Sequence, residues 1–177
     1  MSLLGYHLKN LQILTKRKVF ISYHHRHDQD WFDYFTRKFG DQYDIFSDQS
    51  LDGRIRSDDP EYVNRRIRED FIVGSSITIV LCGTETWKRK YIDWEIYSTL
   101  HHEHALLGVI LPRHFVEAGK IIVPGRLHDN IECRYAHWTM WQEDPVVLKR
   151  EMETAFSCSQ NKTLVRNERE KMGRNLS

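Results

Sequence analysis

The chain reads as an α/β protein of the flavodoxin-like kind, a three-layer sandwich with a central parallel five-stranded sheet and helices on both faces. Three observations predict this. Short, β-branched apolar runs alternate with longer segments whose apolar residues recur at helical spacing. The clearest run, Ser76-Ile77-Thr78-Ile79-Val80-Leu81-Cys82, is apolar nearly throughout, as expected of a strand covered on two sides. Five such runs occur, and right-handed crossovers leave few ways of joining them in parallel.

The elements follow in order. Val19–Tyr23 is a buried strand after three basic residues. Asp28–Phe39 repeats aromatics at helical spacing (Trp31, Phe32, Phe35, Phe39), with Asp28 as a cap and Gly40 as the stop. Tyr43–Phe46 is a second strand. The aspartate-rich stretch from Ser47 to Pro60 is a long loop, and long loops in compact domains are often functional. A helix is expected over Pro60–Phe71, the strand Ser76–Cys82 next, and a helix over Tyr91–His104. Ala105–Leu111 is the fourth strand, closed by Pro112. A looser region holds Gly119, Pro124 and Gly125. Tyr135–Trp138 is the fifth strand and Asp144–Phe156 the last helix.

The length of 177 residues suits one domain. The expected organisation is an N-terminal arm over 1–16, the α/β domain over 17–158 and a polar, frayed tail over 159–177. The 26 basic and 25 acidic residues nearly cancel, so no basic stripe favours nucleic acid. Cys82, Cys133 and Cys158 are odd in number and form no CxxC pair, which suits reduced thiols in a cytoplasmic protein. No run is long and apolar enough for a signal peptide or a membrane span.

In open parallel sheets, ligands bind beyond the carboxyl ends of the strands, where the strand order reverses. That rim takes in residues 22–27, 46–52, 83–87 and 111–113. No GxGxxG, GxxxxGK[ST] or GxSxG motif occurs, so no familiar phosphate cradle or nucleophile elbow is encoded. His101 and His104 lie one helical turn apart, but a solvated helix end explains them more simply than a metal, and no metal is expected. His24, His25 and His27 sit on the first rim loop. A histidine contacting substrate is plausible there because histidine titrates near neutrality.

The informative stretch runs from Thr84 to Ile96. At ~100° per residue, Ile92, Ile96 and Leu100 form one stripe that faces the sheet. Glu95 falls beside that stripe, on the same side as Tyr91 one turn earlier. Trp94 points to the far side, where an exposed tryptophan would mark a contact surface between subunits. Helical geometry alone leaves two readings of Glu95, an ordinary solvated glutamate or a carboxylate held between core and cleft, and it favours the first.

A resemblance shifts that balance. The segment Thr84-x-Thr86-Trp87-x-Arg89-Lys90-Tyr91-x-x-x-Glu95-Ile96 is similar to the Ser-x-Thr-aromatic-x-Arg-Arg-Trp-x-x-x-Glu-Ile of the Toll/interleukin receptor (TIR) superfamily, in particular its TIR-like branch typified by the Thoeris antiphage-defence proteins. Thr84 stands for the serine and Tyr91 for the tryptophan. Val19-Phe20-Ile21-Ser22-Tyr23-His24 resembles the family's opening box, and Asp48-Gln49-Ser50-Leu51 its Asp-x-Ser-Leu. The matches fall in family order over residues 17–112.

The resemblance implies an NAD⁺ glycohydrolase or ADP-ribosyl cyclase of bacterial immunity, with Glu95 catalytic. It needs no cofactor, NAD⁺ being the substrate. Ser22, Tyr23, His24, Phe46, Asp48, Ser50, Trp87 and Tyr91 are the candidate substrate-binding residues. The alternative is a non-catalytic TIR-like interaction module. Homo-oligomerisation is expected, with neither nucleic acid nor membrane as partner. The arm and tail leave little room for a sensor or effector, so a diffusible nucleotide is expected to reach a separate effector protein.

Overall fold

Residues 16–47, 62, 72, 74–112, 114 and 120–177 are described by the computed structural model. Five strands form one parallel sheet: β1 (Arg17–Ser22), β2 (Tyr43–Ser47), β3 (Ile77–Cys82), β4 (Ala105–Ile110) and β5 (His137–Met140). Their spatial order is β2-β1-β3-β4-β5, the flavodoxin-like order expected from the strand count. Around it pack α1 (His25–Phe39), α2 (Lys90–His101), α3 (Gly125–Glu132) and α4 (Pro145–Cys158).

The period-2 alternation of the strands divides the core into two layers. Ile77, Ile79 and Leu81 of β3 join Val19, Ile21, Leu107 and Val109 in the layer that packs Phe35 and Phe39 of α1 and Leu148 and Met152 of α4. Val80 and Cys82 face the other way, onto Ile92, Ile96 and Leu100 of α2 and Leu127 of α3. The stripe read from the sequence is therefore the one that α2 buries. Gly108 lets α3 come close to β4, since a Cβ there would stand 3.0 Å from Leu127 Cδ2.

Several local readings need correction. The stretch around Pro124 and Gly125 is not loose: Pro124 takes the N-cap position of α3, where its fixed φ suits a helix start. The fifth strand begins at His137 rather than Tyr135, and Tyr135 and Ala136 are buried in the preceding turn. Asp28 does not cap its own helix. Helix α1 begins three residues earlier, and the backbone departs from helical geometry at Asp28. Asp144 does cap α4, accepting from Val146 N–H at 2.8 Å. The helix expected over Pro60–Phe71 lies, apart from Tyr62, outside the described residues.

The largest correction concerns residues 159–177, which are polar but not frayed. They run as a strap along α3 and α2, held by buried partners. Asp93 and Arg126 form an ion pair (Nε–Oδ1 3.0 Å) with both side chains nearly inaccessible. Arg126 also donates to the carbonyls of Asn167 and Arg169, at 3.1 and 2.8 Å. Asp93 accepts from Met172 N–H at 3.0 Å. Asn130 donates to Arg166 O at 2.7 Å and accepts from Arg166 N–H at 3.0 Å. Arg169 grips Asp129 with two bonds of 2.7 and 2.8 Å. Leu164 and Val165 also pack against the α2–α3 side of the core, but two adjacent apolar residues make no periodic pattern, and most of the strap is fixed by hydrogen bonds and ion pairs.

Candidate functional site

Strands β1 and β3 are neighbours, and the chain leaves them toward opposite edges of the sheet. Their carboxyl ends thus form the crevice at which such sheets bind ligands. A cleft of about 280 Å³ opens there. Tyr23, His24, His25 and Arg26 form one wall, Arg89, Tyr91 and Ile92 the other, and Asn175 of the strap completes it.

Stacked rings build the first wall. The Tyr23 ring stacks between His25 and Phe32, with both centroid separations at 4.5 Å, and its hydroxyl donates to Gln29 Oε1 at 2.9 Å. His24 is half-buried, and its pKa is pushed down to about 4, chiefly by burial and then by the Arg89 guanidinium and His27. Its imidazole is neutral at pH 7. Three polar atoms at this rim are buried without a hydrogen-bond partner among the described residues: Ser22 Oγ, His24 Nδ1 and Arg89 Nε. Buried polar atoms nearly always have partners, which makes these three candidates for contact with a bound group.

The His24 shift has a consequence for stability. Between about pH 6.5 and 4 the unfolded chain holds the His24 proton and the folded chain does not, so folding loses free energy as pH falls through that window. His24→Gln is expected to flatten this acid limb, as read from urea midpoints measured across it. An unchanged limb in the variant would refute the assignment.

The second wall begins at the N-terminus of α2. Arg89 occupies the N-cap position and shares Glu85 with Lys88, each at 3.3 Å. Tyr91 is 40% exposed and packs edge-on against Trp94 at 5.2 Å. The lip therefore carries two guanidinium groups, an exposed aromatic ring and the positive end of a helix. That combination suits an anionic group joined to a planar ring.

A buried knot holds the two walls in register. Thr86 Oγ1 accepts from Gly83 N–H at 2.8 Å and lies 3.2 Å from Asp28 Oδ2 and 3.3 Å from Leu81 O. The second threonine of the Thr84-x-Thr86 motif thus ties the end of β3 to the start of α1. A Cβ at Gly83 would overlap the Asp28 carboxylate. Gly83→Ala is therefore expected to cost about 1–3 kcal/mol by overpacking. Combining it with Asp28→Ala should recover part of the loss, because the two sites couple directly. Urea denaturation of the four proteins measures this, and strictly additive losses would contradict it.

The candidate residues divide as follows. Tyr23, His24 and Tyr91 line the cleft together. Ser22 is fully buried just behind it. Phe46 is partly buried near the end of β2, and Trp87 is partly buried in a 3₁₀ turn (Thr86–Lys88) with the Lys88 ammonium 5.4 Å from its ring centroid. Asp48 and Ser50 lie outside the described residues. Glu95 is only 1% exposed. It sits one helical turn beyond Tyr91 and three residues after Ile92, behind the wall rather than among the lining residues.

Trp94 overturns the expected contact surface. It is 2% exposed, and its indole N–H donates to Met172 O at 2.9 Å. The strap covers the far side of α2, so this tryptophan is an intramolecular contact. Five cleft residues, His25, Arg26, Arg89, Ile92 and Asn175, stand outside the substrate-binding set read from the sequence, although His25 is one of the three rim histidines noted there. Arg89 is itself part of the Thr84–Ile96 motif, and His25, Arg26 and Ile92 stand beside motif residues, which is a usable signal. Asn175 gives none.

Among the described residues, no cluster of His, Cys, Asp or Glu has the geometry to hold a metal, and no helix is long and apolar enough to cross a membrane. The three cysteines are free.

The pattern of the family described as Thoeris protein ThsB, TIR-like domain, matches residues 20–114. That span is more than half of the chain and runs from β1 through α2 and β4. The chain belongs to this family. The ThsB-type TIR-like segment holds both walls of the cleft except Asn175, together with the Gly83–Thr86–Asp28 knot and Glu95. No curated protein matches the sequence. Among solved structures, the chain is similar to the TIR domains of the activated Roq1 resistosome directly recognizing the pathogen effector XopQ, at 13% identity and a TM-score of 0.39, over 82% of this chain and 85% of that one.

Proposed function

We propose that this ThsB-type TIR-like protein cleaves NAD⁺ at the nicotinamide–ribose bond, with Glu95 as the catalytic carboxylate, and that it does so in antiphage defence. The observation that carries the reading is a buried carboxylate, Glu95, on the helix whose first residues wall a cationic, aromatic cleft, within the family segment. Burying a carboxylate is costly, and such groups concentrate at functional sites. Cleavage of the glycosidic bond leaves positive charge on the ribose, and nicotinamide departs as a neutral base. A fixed carboxylate stabilises that charge more in the transition state than in the substrate, and no strong general acid is needed.

In this reading Arg89 and Arg26 receive the diphosphate. The neutral His24 imidazole and Ser22 hydroxyl meet ribose oxygens, and the Tyr91 ring packs on a base. Glu95 lies behind Tyr91, so productive binding requires the exposed Tyr91 side chain to yield as the ribose enters. Attack on the ribosyl cation by water then gives linear ADP-ribose, and attack by a hydroxyl of the adenosine ribose gives a cyclic isomer. Either product is the messenger that acts on a separate effector protein.

The test is incubation of the purified chain with NAD⁺ and mass spectrometry of the products. Equimolar nicotinamide and an ADP-ribose isomer are expected. No nicotinamide at high protein concentration would leave a binding module instead. Transfer of a protein-free filtrate to the isolated effector checks the messenger, which is wrong if only the protein itself activates.

A further inference from the structure

The start of α2 lacks a cap from its own sequence. Its N-cap residue, Arg89, makes no side-chain capping bond, yet the first N–H groups of a helix need acceptors. The Lys90 N–H is satisfied from 85 residues away, donating to Asn175 Oδ1 at 2.9 Å. The strap is fixed on both sides of this contact. Met172 bonds Asp93 and Trp94, and Leu176 N–H donates to Lys88 O at 2.9 Å. The bond occupies the carbonyl oxygen and leaves the amide NH₂ out of the cap, and Asn175 lines the cleft with Arg89 and Tyr91. One side chain therefore caps the helix with its acceptor and has donors to spare at the edge of the cleft.

Building on the NAD⁺ reading above, we infer that Asn175 is a substrate-positioning residue whose NH₂ group donates to an oxygen of the bound dinucleotide. The cap fixes the orientation of the amide before substrate arrives, so the donor is preorganised. Its position in the cleft lining with Arg89 gives the substrate a neutral and a charged donor at the same end of α2. The strap thereby supplies a wall of the site from outside the segment that matches the family pattern.

Asn175→Asp separates the two roles of the amide. Aspartate still accepts from Lys90 N–H, and an acidic group suits a helix N-terminus. It replaces the NH₂ donor with a carboxylate oxygen, which repels an anionic substrate. The expected result is a KM for NAD⁺ raised roughly tenfold or more, the scale of one hydrogen bond to a charged group, with kcat and Tm close to wild type. Asn175→Ala, which removes both roles, should raise KM and also lower Tm. Wild-type KM in the Asp variant overturns the inference and leaves Asn175 as a cap alone, as does a fall in its Tm that accounts for lost activity. Wild-type protein that neither binds NAD⁺ in a ligand-observed NMR titration nor releases nicotinamide overturns the cleavage reading, and this inference with it.

Discussion

Replacing Glu95 with glutamine should lower nicotinamide release by at least ~100-fold, the scale of losing one preorganised electrostatic group. Glutamine keeps the shape of the side chain and removes only its charge. The local backbone bond, from Thr99 Oγ1 to Glu95 O at 2.9 Å, does not depend on the carboxylate. Thr99 in turn meets Thr78 of β3 at 2.6 Å, so α2 stays anchored to the sheet in the variant. Tm should therefore change little while turnover collapses. Nicotinamide release at saturating NAD⁺, measured beside a thermal melt, decides the matter. A folded Glu95→Gln protein with retained activity would remove Glu95 from the chemistry.

Arg126→Ala should have the largest effect on stability. Arg126 is fully buried and gathers Asp93, Asn167, Arg169 and Glu170 around one guanidinium. Its removal leaves the Asp93 carboxylate buried without its counter-ion and frees several strap carbonyls. Breaking a buried pair by removing one partner typically costs about 3–5 kcal/mol. For a domain of this size that corresponds to a fall in Tm of roughly 6–20 °C. The strap should loosen first, which the Trp94 indole N–H reports: its exchange with solvent should quicken relative to amides in β3. A Tm within about 2 °C of wild type, less than ~1 kcal/mol for a domain of this size, would show that the strap contributes little to the fold. Because Asn175 and Leu176 are held by the same segment, KM for NAD⁺ should rise in any Arg126→Ala protein that remains folded.

The sheet was legible because its information is local. Each strand is a short run of β-branched and apolar residues, and the five runs, once counted, leave few parallel arrangements. The stripe Ile92–Ile96–Leu100 followed from helical spacing alone, since a side chain's direction on a helix depends only on its position along the chain. The rim followed in turn, because the topology brings the ends of β1 and β3 together, and with them Tyr23, His24 and Tyr91.

What the sequence could not supply is what covers the outer face of α2. Spacing shows that Trp94 points away from the sheet, and such a face ordinarily means solvent or a partner subunit. Burial of that face depends on partners far along the chain, Met172 lying 78 residues after Trp94, and the strap carries no periodicity that announces it. Beyond the packing of Leu164 and Val165, it is held by Arg126, Asn130 and Asp129 presenting donors and acceptors at positions fixed only by the fold. For the same reason Trp94 became an internal contact rather than a surface, and Asn175 became a cleft residue. Glu95 shows the division within one side chain. The motif marked the residue and helical geometry marked its side of α2, but its burial was decided by packing. The apolar period of a segment is encoded in that segment. The hydrogen-bond partners of a polar residue are encoded wherever the tertiary structure happens to bring them, and only the assembled fold reveals them.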